Sequence, residues 1–343
     1  MIQYRIIEAF ADTISLLKER NIAMMNFSKI ISAVTAAAAA LSLTLSVSAA
    51  DFGSVTVMGD SIASGYGLEG YVSGDNYSAA GSFGSIISES CGNYMNLAVD
   101  GRTSAELLSA LQGDLADAVV RSDKVVISIG GNDYLRPMMT AVYAKMAEDP
   151  EMLSKIMSGE IDMSQITSYM QDFFSEALSA AETVEASAVA ANIAAITDEI
   201  AYLNSDCEVY LFTIYDPFEG ASGAEDAYAL AETKLAELNG AISDMEGGNI
   251  HVVDVYSAFK GHAVEYTNIS VGDIHPNAAG HAVIAELLMT ELSETGASDT
   301  YGATDVPSDK GSPDTGAEGT ALVFGAAALA GAAVVFLGKK SRR

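Results

Sequence analysis

Val55-Thr56-Val57-Met58-Gly59-Asp60-Ser61-Ile62 carries an apolar, β-branched run straight into a Gly-Asp-Ser turn. A short buried strand ending in Gly, with Ser two residues on, suits a nucleophile raised above the C-terminal edge of a sheet. The plainer reading is that Asp60 and Ser61 cap the helix that follows. Residues farther along the chain separate the two.

Outward from this stretch, apolar runs alternate with helical patterns. Strands are expected at Val55–Met58, Tyr94–Val99, Lys124–Ile129, Val209–Ile214 and His251–Val255. None alternates apolar with polar, as expected of parallel strands covered on both faces. Helices are expected at Ser82–Ser90, Ser104–Val120, Ala191–Asn204, Ala224–Met245 and Ala278–Leu292, the second opened by the capping box Thr103-Ser104-Ala105-Glu106. This rhythm implies right-handed crossovers and a doubly wound parallel sheet that binds ligands outside its C-terminal strand ends. Residues 137–190 break the rhythm as a helical, strand-free insertion holding half of the 14 Met. Met is an adaptable filler, which fits either ordinary helix packing or a lid over the site.

Four short stretches fall at predicted strand ends: Ser61 after the first, Gly101 after the second, Gly130-Gly131-Asn132-Asp133 after the third and Asp273-Ile274-His275 after the fifth. A Ser nucleophile needs a base poised near neutrality, and imidazole supplies one. The oxyanion formed by attack on a carbonyl needs fixed donors, which a closely approached Gly N–H and an Asn amide provide. Gly-Asp-Ser, Gly, Gly-x-Asn-Asp and a late Asp/His block, in that order, resemble the SGNH, or GDSL-type, esterase and lipase superfamily over nearly all of residues 52–293. The resemblance implies a flavodoxin-like three-layer α/β/α sandwich on a parallel five-stranded sheet, with Ser61 as nucleophile and His275 as general base. It also implies an oxyanion hole from the N–H groups of Ser61 and Gly101 and the side chain of Asn132, and no cofactor. One departure stands out. The family places its acid three residues before the His, where this chain has Gly272, and Asp273 is only two before. Residues two apart on an extended segment share a face, so Asp273 is the expected third member; a dyad oriented by a backbone carbonyl is the competing arrangement.

Other motifs carry less. Gly65-Tyr66-Gly67-Leu68-Glu69-Gly70 matches a dinucleotide fingerprint but neither follows its strand directly nor opens a helix, and reads as a loop on the cleft rim. The turn lacks the last Gly of a G-x-S-x-G elbow, which argues against the α/β-hydrolase fold. His281 is expected to pack or cap, and no partner is evident for His251 or His262. No Cys/His or carboxylate cluster has ligand spacing, so no metal is expected. Cys91 and Cys207 precede separate predicted strands, too far apart for a disulfide.

The two ends read differently from the core. Residues 24–50 have the charged start, apolar middle and small-residue cleavage site of a secretory signal, behind an N-terminal extension of residues 1–23. Residues 295–319 read as a disordered linker, and residues 320–343 as a transmembrane segment with a basic tail. Ser312-Pro313-Asp314-Thr315-Gly316 resembles a sortase sorting signal, with Ser where that signal has Leu, which implies a sortase partner and cell-wall attachment through Thr315. Between residues 51 and 315, 42 Asp and Glu face 9 Lys and Arg, a net charge near −33. Nucleic acid is excluded as a partner on that balance.

The expected function is that of an exported, cell-surface serine esterase, acting on carbohydrate acetyl esters or on lysophospholipids and other acyl esters. The rival from another class is a catalytically inactive surface module that binds glycan. Loss of Ser61 or His275 would have favoured that rival, and both are present.

Overall fold

The computed structural model describes residues 51–149, 151, 163–221 and 224–296. The expected signal, linker, sorting motif and membrane segment lie outside them. No helix among the described residues is long and apolar enough to cross a membrane.

Five strands, β1 (Ser54–Gly59), β2 (Asn93–Asn96), β3 (Lys124–Ser128), β4 (Glu208–Phe212) and β5 (Ile250–Val253), form one sheet in the order β2-β1-β3-β4-β5. Every pairing is parallel. The helices are α1 (Ser61–Ser64), α2 (Phe83–Ser88), α3 (Ser104–Leu111), α4 (Ala116–Val120), α5 (Gly131–Glu148), α6 (Met163–Glu182), α7 (Ala186–Leu203), α8 (Glu225–Ser243), α9 (Val255–Phe259), α10 (Ala263–Tyr266) and α11 (Ala278–Gly296). The strand order reverses between β1 and β3, which opens a crevice above their C-terminal ends.

Both faces of the sheet are covered, so the strands read as unbroken apolar runs. Met58, Ile127 and Leu211 face Leu107 of α3, Ile193 of α7 and Leu238 of α8. Val57, Val126 and Tyr210 face Phe83 of α2, Phe259 of α9 and Leu288 of α11. The fold is the expected three-layer sandwich.

Two details differ from the sequence reading. The helix expected over Ser104–Val120 is broken after Leu111, and Gly113 lies in the turn before α4 begins at Ala116. Gly in a helix interior costs about 1 kcal/mol relative to Ala, enough to favour a break where the chain must bend. The helical region after β3 begins at Gly131 and runs through Pro137, with Gly130 at its start in the left-handed region at φ 117°. Met138, Met139, Val142 and Met146 of α5 close a small core of their own against Phe173, Ala177 and Ala181 of α6.

Cys91 and Cys207 are unpaired thiols beside β2 and β4, three positions apart in the sheet. Burial pushes each thiol up to about 12.

Candidate active site

The turn after β1 is built by close approach of β1 to β3. Gly59 pairs with Ser128, and a Cβ on Gly59 would lie 2.0 Å from the Ser128 carbonyl oxygen. Only Gly lets the strand end there with its φ of 140°. The Asp60 N–H then donates to that same carbonyl (3.1 Å), and Ser61 opens α1.

Ser61 and His275 are 4 % exposed. The Ser61 hydroxyl donates to His275 Nε2 across 2.9 Å, and His275 Nδ1 donates to Asp273 Oδ1 across 2.5 Å. The carboxylate fixes the tautomer, because the ring nitrogen facing it must carry the proton. Nε2 is left with a lone pair toward Ser61. Burial opposes the charge on Asp273, but hydrogen bonds from the His275 ring and backbone, with one from Asn268, outweigh it and hold the carboxyl below its ordinary range. Gly272 stands one residue before the acid. It ends the 3-10 turn Ile269–Val271 in the left-handed region at φ 87°, where a side chain is strained, and the acid falls at the next residue.

Asn132, the second residue of α5, is buried beside Ser61 in the same cleft, and its amide donates to Asp60 Oδ2 at 3.4 Å. The other Asp60 oxygen accepts from the Ile62 N–H at 3.0 Å. Burial first, then the negative charges of Asp100 and Asp133, raises the Asp60 carboxyl to about 7. Gly101 lies buried in the turn after β2 at φ 74°, its carbonyl accepting from Arg136 Nη2 at 2.6 Å. The structure thus joins Ser61, His275 and Asp273 by direct hydrogen bonds, sets Asn132 in the same cleft, and ties Gly101 to α5 through Arg136.

Sequence reasoning missed the residues that hold these in place. Asp60, a helix cap in the plainer reading of the turn, does cap α1 and also anchors Asn132. Tyr66 packs its ring 4.5 Å from that of His275, and a Cβ on Gly67 would meet Asp273 Oδ2 at 3.1 Å and His275 Cβ at 3.3 Å. The available signal was the Gly spacing itself, since a loop rich in Gly often marks a close approach. The Tyr215 hydroxyl donates to the Ile274 carbonyl at 2.8 Å and holds the His275 loop down.

The remaining histidines lie elsewhere. His281 is buried, accepts from the Phe83 N–H at 3.3 Å and is held neutral, burial and then nearby His275 lowering it to about 3. His251 pairs with Glu208 and His262 with Glu265, partners the sequence had not shown. Among the described residues no group of three or more His, Cys, Asp or Glu could hold a metal ion.

A cleft opens at Ser61, Asn132 and His275 and runs between α5, α6 and α8. Its walls are mostly apolar, with Leu135, Met138, Leu178, Phe218 and Leu230 among them.

Solved structures of similar fold include an extracellular lipase from Streptomyces rimosus (18 % identity, 70 % of this chain and 99 % of that one, TM-score 0.49). Another is phospholipase A1 from Streptomyces albidoflavus (19 %, 70 % and 98 %, TM-score 0.49). A third is a mutant of an acetyl-xylooligosaccharide esterase from Geobacillus (17 %, 71 % and 95 %, TM-score 0.44). A search among curated proteins found no match. The sequence profile of the GDSL-like lipase/acylhydrolase family matches residues 57–283, more than half of the chain. The chain belongs to the GDSL-like lipase/acylhydrolase family and is an ester-bond hydrolase.

Proposed function

We propose that the protein is an exported, surface-attached serine esterase that cleaves carboxylic esters through an acyl-enzyme. The observation that carries this is the unbroken line from Ser61 Oγ through the His275 ring to Asp273. Ser61 Oγ attacks the ester carbonyl as Nε2 takes its proton, and the new C–O bond leaves charge on the carbonyl oxygen. The N–H groups of Ser61 and Gly101 and the Asn132 amide receive that charge. The C–O bond to the alcohol then breaks, the alcohol taking the proton from Nε2. Water attacks the acyl-enzyme by the same steps and releases a carboxylic acid and free Ser61.

Acetylated carbohydrates and lysophospholipids or other acyl esters are the substrate classes a cell-surface address would offer. That address rests on the sequence of residues 24–50 and 312–343. The test is hydrolysis of p-nitrophenyl esters by the protein and its Ser61→Ala variant. Hydrolysis that disappears in Ser61→Ala supports the reading, and hydrolysis that persists in the variant refutes it.

A further inference from the structure

We propose that the cleft between α5, α6 and α8 is an acyl-chain pocket, which makes medium-chain acyl esters of about eight to ten carbons the substrate class. The inference rests on the catalytic reading of Ser61 given above.

The cleft starts at the reacting atoms and continues away from them with an apolar lining. On α8 its wall is the stripe Ala227, Leu230, Ala231, Lys234 and Leu235, a helical spacing of i, i+3, i+4, i+7 and i+8. Eight residues at 1.5 Å rise make this wall about 12 Å long. An extended chain advances about 1.2 Å per bond, so the wall matches roughly ten bonds. An acetyl group would leave most of it empty. Small side chains leave room along it, Ala181 on α6 and Ala227 and Ala231 on α8 being part of the lining. The Lys234 stem lines the cleft while its ammonium is engaged by the carbonyls of Glu182 (2.8 Å) and Val184 (2.7 Å). The charge is thereby taken up at the C-terminal end of α6.

The other side of His275 has a different character. Tyr66, Gly67 and Asn268 border it, and the loop beyond them from Glu69 to Asp75 is polar and largely exposed. The alcohol, which leaves before water enters, departs over that rim. The acyl group, which stays on Ser61 until water attacks, lies in the apolar cleft.

The experiment has two arms on the full-length protein. In the first, kcat/KM is measured for p-nitrophenyl esters from acetate to myristate, beside octyl acetate and ethyl octanoate. Each buried methylene is expected to add about threefold to fourfold, for a rise of about 700-fold to 4,000-fold over the six methylenes from acetate to octanoate and a plateau near decanoate. Ala231→Phe is expected to cut the octanoate-to-acetate ratio by about 10-fold or more, while Tyr202→Ser, at the far end of α7, leaves that ratio unchanged. In the second arm, decanoate binding to Ser61→Ala is measured by calorimetry, with and without Ala231→Phe. Binding weakened by Ala231→Phe supports the pocket even if no ester is hydrolysed, in which case the catalytic reading alone falls. Hydrolysis fastest on acetate, octyl acetate preferred over ethyl octanoate, or no decanoate binding overturns the pocket and leaves the catalytic reading standing.

Discussion

Once ionised, above its raised value of about 7, Asp60 has two acceptor oxygens where two donors need them, the Ile62 N–H and the Asn132 amide. Asn at this position offers one acceptor and turns a donor toward one of them. The Asp60→Asn variant is therefore expected to lose about 10-fold to 100-fold in kcat with little change in KM, because a misplaced oxyanion donor acts only in the transition state. A rise in KM with unchanged kcat would contradict this. Asp273→Asn keeps the shape but loses the charge that fixes the imidazole, and a fall of about 10³ or more in kcat is expected; a loss under tenfold would point to a backbone carbonyl as the orienting group. Asp216, in the loop after β4, is 7 % exposed, and one of its oxygens has no hydrogen-bond partner among the described residues. Burial, and next the nearby Glu219 and Glu232, raises it from 3.8 to about 7, against a lowering bond from the Phe218 N–H. Between those values the folded state keeps a proton that the unfolded chain has released, so this group costs stability as pH rises from about 4 to 7. Relative to the parent, Asp216→Asn is expected to gain on the order of 2 to 4 kcal/mol between pH 4 and pH 8 in urea unfolding. A difference that does not change with pH would rule out the raised value.

At the scale of elements, the sheet was legible because strands covered on both faces are written as unbroken apolar runs, Val125-Val126-Ile127 in β3 being the clearest. Ser61 was legible because it follows such a run, and His275, two helices and a 3-10 turn beyond β5, through the late Asp/His block. What hid was contact between distant segments. The Gly spacing of residues 65–70 marks a loop on the cleft rim but not which residues it approaches, His275 and Asp273, and Asp60 reads as a cap because it is one. The start of α5 was obscured by Pro137, which the helix carries in its interior. The α8 helix is bolted to α6 by Lys234, whose ammonium satisfies two carbonyls at the α6 end. Lys234→Met keeps the stem and removes those bonds. A loss of about 1–2 kcal/mol in urea unfolding is expected, and an unchanged midpoint would show that the bolt is not structural.

At the scale of the molecule, the formal charge of −29 sets which substrates approach easily. An acidic surface repels anionic lipid and anionic esters, and salt screens that repulsion. Hydrolysis of a short ester dispersed in anionic vesicles is expected to rise severalfold between 10 and about 150 mM salt, while the same ester in zwitterionic vesicles changes little. Equal salt dependence on both would remove charge from the account. The same scale joins the sheet to the chemistry: the reversal between β1 and β3 places the turn bearing Ser61 beside the start of α5, and the loop after β5 brings His275 across to meet it.

The central claim is that Ser61 is an activated nucleophile. The measurement that meets it most directly is mass spectrometry of the full-length protein after treatment with an organophosphorus ester, with the adduct mapped by peptide. One adduct per chain on Ser61, absent in Ser61→Ala and slowed in Asp273→Asn, is the expected result. An adduct on another residue, or labelling that persists in Ser61→Ala, would contradict the account.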